Sequence, residues 1–517
     1  MASASESNEL IQTLAPELGG KNKTAKLAAI ETIVNSDSER KGSWLQGLLE
    51  GDLYVVKKSG EVVFAKKNGK LYDLVSAVDG TERGAQKKRA LRKISINNAI
   101  RKELKSQIGL LAIENTDDSK RLVAVKQLSD SVDEKSLERI RALRDKESSP
   151  DVKQAMDLLL YTSDLKNGTQ EQKISALDFA EGRLEIELIN ALRVVEEQDN
   201  DPALVARAVE LINIAEEKRA WYSRAEQLYF GISLGSVLVV AAIGLAITFG
   251  VMGVINMAHG ELIMLGAYTT WFIQQIFPGA VNYSLLMAVP AAFLVSGTAG
   301  VLIERTVIRH LYGRPLETLL ATFGISLLLQ QLVRTVVSPQ NVAVINPTWM
   351  SGSWMINPAL SLSLNRLVII GFCLLVFALL VIIFTRTSYG LQMRAVAQNR
   401  QMAKAMGIRS ARVDAMSFGL GSGVAGIAGV ALSQLGNVGP NLGQSYIIDS
   451  FMVVVFGGVG NLWGTLVAGM SLGIANKLLE PWAGAVLAKI IVLLGLILFI
   501  QNRPRGLFPP RGRAVED

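Results

Sequence analysis

From Phe230 onward, runs of apolar residues long enough to cross a lipid bilayer recur along the chain. One crossing needs about 20 apolar residues in a helix. The seventh run is interrupted by GGVGNLWG at 457–464, so the pattern predicts eight or nine spans with some broken or re-entrant helices. The predicted segments are 230–255, 261–277, 283–303, 317–337, 366–385, 411–435, 446–479 and 482–500.

Charge divides the chain into two parts. Residues 1–227 hold 36 Lys and Arg and 38 Asp and Glu, whereas 228–517 hold 17 basic and 8 acidic residues. This division excludes a single water-soluble globule, and the high apolar content excludes a disordered chain. We therefore predict an extramembrane domain at 1–227 and a membrane domain at 228–513.

The scarcity of two residue types restricts the chemistry of the chain. Cys373 is the only cysteine, and His259 and His310 are the only histidines. The sequence therefore predicts no disulfide framework, no metal site and no bound cofactor. It also contains no Walker A motif and no set of residues typical of an intramembrane hydrolase, so no enzymatic activity is expected.

Loop charges indicate which ends of the spans face the cytoplasm. The segments 304–315, 386–412 and 503–513 are rich in arginine, whereas 338–365 contains no charged residue. Because basic loops stay on the cytoplasmic side, we expect these three segments inside and 338–365 outside. A cytoplasmic C-terminus then requires an extra crossing within 446–479.

Two glycine-rich stretches of the membrane half are similar to each other. FGVMGVINMAHGELIMLG at 249–266 and FGGVGNLWGTLVAG at 456–469 both begin with Phe-Gly and continue with Gly, Asn and Gly. Interrupted segments in corresponding positions of two halves point to the central site of a transporter. Asn256 and Asn461 are then polar groups presented from broken helices. The alternative is that each asparagine only caps a half-helix.

A basic segment with helical periodicity lies between the fifth and sixth predicted spans. The sequence GLQMRAVAQNRQMAKAMGIRSARV at 390–413 can place Ala397, Met402, Ala403 and Met406 on one apolar face. An apolar face without a partner in its own chain favours docking of another protein. The alternative is an interfacial helix that lies on anionic lipid.

Four motifs resemble those of the branched-chain amino acid ABC permease family. They are GVMGVINMAHGELIMLGAY (250–268), ERTVIRHLYGRPLETLLATFGISLLLQQ (304–331), VFGGVGNLWGTLVAG (455–469) and RPRGLFPPRGR (503–513). The resemblance covers about 230–513, and the basic segment resembles the coupling helix of ABC importer permeases. A long extramembrane extension before the first span is similar to the urea permease branch of the family.

The resemblance implies a multi-pass protein of the bacterial inner membrane within a heteromeric importer. Its other parts would be a second permease subunit, two cytoplasmic ATPase subunits and a periplasmic solute-binding protein. The residues that match the coupling motif would seat in an ATPase groove, and they are Arg394, Ala395, Asn399, Ala403 and Gly407. The residues that match the motifs around the broken helices would line the translocation path, and they are Asn256, Gly260, Glu261, Gly458, Gly460 and Asn461.

Three functions are open from the sequence. Urea import is favoured, because amides, hydroxyls and carbonyls can pass a small neutral solute without a charged ligand. The second function keeps the same machine and carries branched-chain amino acids or short amides. The third is a membrane-anchored scaffold or sensor, although eight or more spans exceed what an anchor needs.

Residues 1–227 are predicted to be mainly helical. The segments 118–159 and 170–212 share a layout with an offset of 52 residues, in which Pro150 matches Pro202. Each is predicted to be a helix pair with a proline near the start of its second helix, similar to a HEAT-type repeat. Alternation and turn residues at 52–75 predict a small β-meander inside this otherwise all-α chain. Such a scaffold is expected to dock a partner or to stabilise the complex.

The side of the membrane on which residues 1–227 lie is predicted to be the periplasm, from span parity and from the family resemblance. Lys218, Arg219 and Arg224 favour the cytoplasm instead. The first twenty residues also show no apolar leader segment. Either a leader precedes the first residue, or one early segment does not cross the membrane.

Overall fold

The computed structural model describes residues 9–20, 22–36, 38–68, 71–128 and 134–508. The chain divides into two compact units, with the boundary between Glu216 and Glu217. Both units are mostly helical, and a five-stranded sheet lies in the first. The end of the predicted tail motif, at 509–513, lies outside the described residues.

After a helical stretch at 9–13, three further helices and an antiparallel sheet form the start of the first unit as far as it is described. The sheet contains the predicted β-meander but extends to Lys93, beyond the predicted end at residue 75. Trp44 is fully buried, and its indole N–H donates to the carbonyl oxygen of Ala77 at 2.8 Å, which joins the helices to the sheet. The elements are α1 (Ala15–Gly19), α2 (Lys23–Val34), α3 (Lys41–Glu50), β1 (Leu53–Val56), β2 (Val62–Asn68), β3 (Leu71–Ser76), β4 (Glu82–Gln86) and β5 (Leu91–Lys93).

The sheet is rolled. Its strand order β4-β3-β2-β1-β5 places the last two strands at opposite edges. Tyr54, Val63 and Leu74 lie in a buried cluster whose members all belong to the sheet. Because the strands cover this cluster themselves, the sheet curls around it.

Seven helices follow the sheet, and six of them form two groups of three. Each helix of the second group begins 52 residues after its counterpart in the first. The predicted offset is therefore confirmed. The predicted helix pair was wrong, because each group contains three helices. In the second group, Gly182 at φ 75° lies between the end of α8 and the start of α9 and separates these two helices. The HEAT-type assignment stays a prediction. After α4 (Asn98–Ile113), the groups are α5 (Asp118–Leu128), α6 (Glu134–Arg144) and α7 (Pro150–Asn167), then α8 (Gln170–Ala180), α9 (Ile186–Gln198) and the start of α10 (Pro202–Met252).

Burial and ion pairs repeat with the same offset of 52 residues. The ion pair Arg121–Glu147 has its counterpart in Lys173–Asp199, and Arg141–Asp164 has its counterpart in Arg193–Glu216. The two groups are therefore structural repeats of one three-helix unit. The buried residues that correspond are Ala124 and Ala176, Val125 and Leu177, Leu128 and Ala180, Ile140 and Leu192, Val152 and Leu204, Met156 and Ala208, Leu159 and Leu211, and Leu160 and Ile212.

The second unit is a bundle of apolar helices. Among the described residues, six helices are long and apolar enough to cross a membrane, namely α10, α12, α13, α14, α17 and α19. The predicted count of eight or nine spans stays a prediction. After α10 come α11 (His259–Ile276), α12 (Ser284–Thr306), α13 (Pro315–Val336), α14 (Leu364–Arg386), α15 (Ser388–Gln398), α16 (Arg400–Ala405), α17 (Ser410–Ser433), α18 (Leu442–Gly457) and α19 (Leu462–Asn502).

The helix α19 turns back on itself. A straight helix of its 41 residues would be about 60 Å long. Its first residue closely follows the end of α18, yet Phe499 near its other end packs on Phe456 of α18, with ring centroids 4.8 Å apart. Gly484, at φ 78°, interrupts the helix and supplies the reversal. The chain therefore passes the bundle twice between Leu462 and Asn502.

Glycines bring the central helices into backbone contact. A Cβ on Gly244 of α10 would overlap the carbonyl oxygen of Gly421 on α17, and a Cβ on Gly266 of α11 would overlap that of Gly426. Such contacts allow helices to associate where no hydrophobic drive acts between them. The helices α10 and α17 are the most buried of the long apolar helices, so they form the centre of the unit.

A β-hairpin marks one side of the bundle. Its strands β6 (Ser353–Asn357) and β7 (Leu360–Ser363) lie in the uncharged segment 338–365. The hydroxyl of Tyr229 on α10 donates to the carbonyl oxygen of Ser363 at 2.6 Å. The part of α10 around Tyr229 therefore lies at the same side as this hairpin.

Candidate translocation and coupling sites

A break separates α10 from α11. Residues 253–258 are not helical. The Nε2 of His259, the first residue of α11, lies 2.9 Å from the carbonyl oxygen of Ala241. The helix α10 ends at Met252, and the part of it between Ala241 and Met252 is about 16 Å long. The segment 253–258 therefore re-enters the bundle, and the N-terminus of α11 lies about half a bilayer core deep.

Polar contacts hold the re-entrant segment. The side chain of Asn256 is buried, and its Oδ1 accepts a hydrogen bond from the backbone N–H of Ala258 at 3.0 Å. The backbone N–H of Met257 donates to Thr322 Oγ1 at 3.1 Å. The Nδ2 of Asn256 has no partner among the described residues. Asn256 thus combines a local turn contact with an unused buried donor.

Glu261 is the buried carboxylate of this site. Its side chain lies in the first turn of α11 and is only 1% exposed. Its Oε1 accepts hydrogen bonds from Ser326 Oγ at 3.0 Å and Gln330 Nε2 at 2.8 Å. Its Oε2 has no hydrogen-bond partner in the described part of the chain. One carboxylate oxygen is therefore held by α13, and the other is available.

The polar residues of α13 were missed by the sequence analysis. Thr322, Ser326 and Gln330 are buried and recur every four residues, so they lie on one face of the helix. That face touches residues 257–261, and the other face exposes leucines. A four-residue spacing of polar residues in an apolar helix was the signal that could have identified them.

A second helix starts at the same depth. A Cβ on Gly260 would overlap the carbonyl oxygen of Gly443, and one on Gly443 would overlap that of Gly260. Gly443 lies in the first turn of α18, and residues 434–441 that precede α18 are not in a regular helix. Two helix N-termini therefore meet beside Glu261. Because a helix N-terminus carries partial positive charge, their meeting point favours an anionic group.

The glycines and the asparagine at 458–461 form a different feature. Gly458 and Gly460 adopt φ 99° and 79°, which allows the chain to leave α18 and start α19. The Oδ1 of Asn461 accepts the backbone N–H groups of Trp463 and Gly464, each at 3.1 Å. Asn461 is therefore the N-cap of α19, which is the alternative that the sequence left open.

The six predicted path residues do not form one cluster. Asn256, Gly260 and Glu261 lie together at the start of α11. Gly458, Gly460 and Asn461 lie beyond the far end of α18, whose length between Gly443 and Gly457 is about 21 Å. The partner of the first break in the middle of the bundle is thus the start of α18. That all six residues line a translocation path stays a prediction.

The predicted coupling helix is divided into two short helices. We define the coupling segment as residues 388–407, which contain α15 and α16. Asn399 separates the helices, and its Oδ1 accepts the backbone N–H of Met402 at 2.9 Å as the N-cap of α16. Gly407, at φ 85°, ends α16 in a Schellman motif, in which Ile408 N–H donates to Ala403 at 3.0 Å. The predicted helical segment therefore consists of two short helices.

Three of the predicted contact residues contact the rest of the protein. Ala403 is buried, Ala395 is half-buried against the core, and the guanidinium of Arg394 donates to the carbonyl oxygen of Phe384 at the end of α14. Ala403 therefore cannot lie on the exposed apolar face that the sequence predicted. These contacts hold the coupling segment against the bundle. Arg394, Asn399 and Gly407 are exposed, and their contact with an ATPase stays a prediction.

The coupling segment exposes three large apolar side chains. Leu391, Met402 and Met406 are 61%, 60% and 78% exposed. Methionine side chains are flexible and adapt to varied apolar surfaces. These three residues form the surface that another protein or a lipid could cover.

Neither site has the composition of a metal centre. Among the described residues, no group of three or more His, Cys, Asp and Glu side chains could hold a metal ion. The chemistry available is hydrogen bonding, one buried carboxylate and two helix N-termini. Taken with the apolar bundle and its two re-entrant segments, this defines a membrane transport protein of the polytopic helical class.

Comparison with known proteins identifies the family. The family described as branched-chain amino acid transport system, permease component, matches residues 227–501. LivH, the high-affinity branched-chain amino acid transport system permease protein of Escherichia coli (strain K12), is 30% identical over 292 residues, which are 54% of this chain and 94% of that protein. BraD of Pseudomonas aeruginosa, with the same description, is 29% identical over 299 residues, 55% of this chain and 96% of that protein. No solved structure matches the chain.

The chain therefore belongs to the branched-chain amino acid ABC permease family. As a permease component it is a multi-pass membrane transport subunit and not an enzyme. Residues 1–226 precede the family match, so the rolled sheet and nearly all of the three-helix repeats are an addition to the shared permease.

Proposed function

We propose that this chain forms the membrane path of an ABC importer for branched-chain amino acids. The observation that carries the proposal is the buried Glu261 carboxylate beside the meeting N-termini of α11 and α18. An amino acid is a zwitterion, so its ammonium group complements Glu261 and its carboxylate complements the two helix N-termini. The relatives LivH and BraD are described as permeases for such cargo.

Urea is the second candidate cargo. At the same break, the Nδ2 of Asn256 is an unused buried donor and the Oε2 of Glu261 is an unused buried acceptor. Urea carries one carbonyl acceptor and four N–H donors, so these two atoms could hold it without any further charge. The sequence favoured this cargo, whereas the family relatives and the buried carboxylate support amino acids.

The family relatives support the presence of partner subunits in the importer. We place two ATPase subunits against the cytoplasmic coupling segment, because Leu391, Met402 and Met406 expose apolar surface there. A second permease subunit and a periplasmic solute-binding protein complete the machine. A scaffold or sensor function would leave the re-entrant helices and the buried carboxylate without a purpose.

We propose nine passes, with residues 1–216 in the periplasm. Near its middle, α10 contacts the uncharged segment 338–365 through Tyr229 and Ser363, which we place outside. At its end, Gly250 touches Gly460 close to the arginine-rich coupling segment, where a Cβ on Gly250 would lie 2.9 Å from Gly460 Cα. Each re-entrant segment and its half-helix counts as one pass, and α19 counts as two. The location is the inner membrane of a bacterium.

The test is an uptake competition. Cells that lack the gene, and the same cells complemented with it, are given labelled leucine or labelled urea at micromolar concentration with an excess of the other compound. We expect gene-dependent leucine uptake that urea does not reduce. Gene-dependent uptake of urea that leucine does not reduce would replace amino acids by urea as the cargo. Absence of both would refute either cargo.

A further inference from the structure

A pocket of about 300 Å³ lies where the coupling segment meets the start of α19. Its lining residues come from α10, α14, α15 and the turn at 460–463. Most of them are apolar, and Ile247, Val381 and Phe384 form part of the wall. This volume is at the lower end of the range found for small-molecule binding sites.

Arg394 is the only charged residue among the lining residues. One of its N–H groups donates to the carbonyl oxygen of Phe384, and a guanidinium has five such donors. Among the other polar lining side chains, Thr385 Oγ1 donates to the carbonyl oxygen of Val381 at 2.7 Å, and Asn461 Oδ1 accepts two backbone N–H groups. The Asn461 amide and the Trp463 indole add neutral N–H groups to the lining. The pocket therefore offers one cation with spare donors and an apolar wall.

We propose that this pocket binds a branched aliphatic carboxylate from the cytoplasmic side. The guanidinium of Arg394 holds the carboxylate, and the apolar wall takes the branched chain. A branched-chain amino acid that has just been imported carries both groups, so this inference rests on the proposed function. An anionic phospholipid also joins an anionic group to aliphatic chains and is the other source of such a ligand.

The position of the pocket means that a bound ligand affects the coupling segment. One wall belongs to α15 of the coupling segment, and the opposite wall belongs to residues 460–463, which contact α10 at Gly250. A ligand between these walls holds the coupling segment at a fixed distance from the start of α19. Accumulated cargo therefore slows ATP-driven transport, as product inhibition of the importer.

Binding is tested on the purified complex of this chain with its partner subunits, in nanodiscs of phosphatidylcholine and without the solute-binding protein. The probe is labelled isovalerate, which has the branched chain and the carboxylate, and the control compound is isovaleramide, its neutral counterpart. We expect saturable binding of isovalerate with an affinity at least about tenfold above that of isovaleramide, the loss expected when one charged hydrogen bond is removed. Equal affinities would overturn the proposal.

Pocket variants show where the probe binds. Val381→Phe on α14 and Ala397→Leu on α15 fill the pocket from opposite sides and should abolish isovalerate binding. Leu379→Phe places the same larger side chain on an exposed position of α14 and should leave binding unchanged. If both filling variants assemble with normal thermal stability and still bind isovalerate as the parent does, the pocket is not the site.

The regulatory consequence is measured as ATP hydrolysis with the solute-binding protein present, relative to the same variant without ligand. Isovalerate should lower the rate severalfold in the parent and in Leu379→Phe, and not in Val381→Phe. If phosphatidylglycerol lowers the rate, isovalerate does not, and Val381→Phe removes the effect, the pocket binds lipid. That result would overturn the proposal that imported cargo occupies the pocket. The binding assay does not depend on transport. If leucine uptake fails while isovalerate still binds, only the proposed cargo is refuted and the pocket remains a carboxylate site.

Discussion

Arg400 of the coupling segment forms an ion pair with Asp414 of α17, and the carboxylate of Asp414 is almost fully buried. The same guanidinium lies over the ring of Tyr312, 3.9 Å from its centroid. Since α17 is one of the two central helices, this pair joins the exposed coupling segment to the middle of the bundle. A displacement of the segment by an ATPase would thus reach α17 directly.

Asp414→Asn should weaken this connection. The substitution removes the charge that offsets Arg400, and we expect a loss of about 1–3 kcal/mol in stability because the pair is mostly buried. Uptake should fall more than ATP hydrolysis, because the two become less tightly coupled. Glu317→Gln, which breaks the exposed pair with Arg314, is the matched control. Equal uptake and equal melting temperatures of the two variants would contradict this role.

The pH dependence of the same contact follows from Tyr312. Burial raises the pKa of Tyr312 to about 12, and the nearby carboxylate of Asp414 adds to the effect. Tyrosine in an unfolded chain titrates near pH 10, at about its ordinary pKa. The stability that neutral Tyr312 contributes is therefore complete below about pH 10 and is lost as the pH rises toward 12. Thermal melting between pH 8 and 11.5 should show a smaller decline in Tyr312→Phe than in the parent or in Tyr283→Phe, an exposed control.

The sequence was sufficient where one local signal determines the structure. The glycines at 457–464 indicated a break, and the chain does leave α18 at Gly457 and enter α19 at Leu462. The offset between Pro150 and Pro202 identified a repeat, because proline at a helix start fixes the register of the whole unit. Apolar length identified the long helices of the bundle.

The sequence was insufficient where contacts between distant segments determine the structure. The start of α18 meets α11 through Gly260 and Gly443, which are far apart in the chain and share no pattern. The partners of Glu261 lie on α13, and only packing brings them to it. An alanine such as Ala403 is compatible with a helix face that is buried in the protein and with one that is exposed. Its burial therefore depends on the residues that pack around it.

The contact between Gly260 and Gly443 should not tolerate a methyl group. Gly260→Ala forces the starts of α11 and α18 apart, and overpacking of this kind costs about 1–3 kcal/mol. Leucine uptake and the melting temperature should both fall. Gly324→Ala is the control, because a Cβ at that helical position meets open space. Identical behaviour of the two variants would show that the half-helix starts need not touch.

Glu261 and Gln330 distinguish the two cargoes. Glu261→Gln keeps the shape of the side chain and removes its charge, so uptake of an amino acid should fall about ten- to a hundredfold through loss of the charged contact to the ammonium group. Uptake of urea, a neutral solute, should change severalfold at most. Gln330→Leu removes a donor to Glu261 and should act in the same direction, whereas Gln331→Leu on the exposed face should not. Equal loss for leucine in the Gln330 and Gln331 variants would exclude a role for the contact between Gln330 and Glu261, and unchanged leucine uptake in Glu261→Gln would exclude a role for the carboxylate.

The exposed methionines of the coupling segment predict where the ATPase binds. Met406→Glu places a charge on a side chain that is 78% exposed, so the fold of the permease should survive. If an ATPase covers this position, a buried unpaired charge should weaken assembly by about 1–3 kcal/mol, which is five- to a hundredfold in affinity. Co-purification of the ATPase subunits and ATP-dependent uptake should fall together. Gln401→Glu, in the helix α16 that directly precedes Met406, tests whether added charge alone is responsible. If Met406→Glu retains the ATPase as well as Gln401→Glu does, the apolar surface faces lipid and the contact must lie elsewhere on the cytoplasmic side.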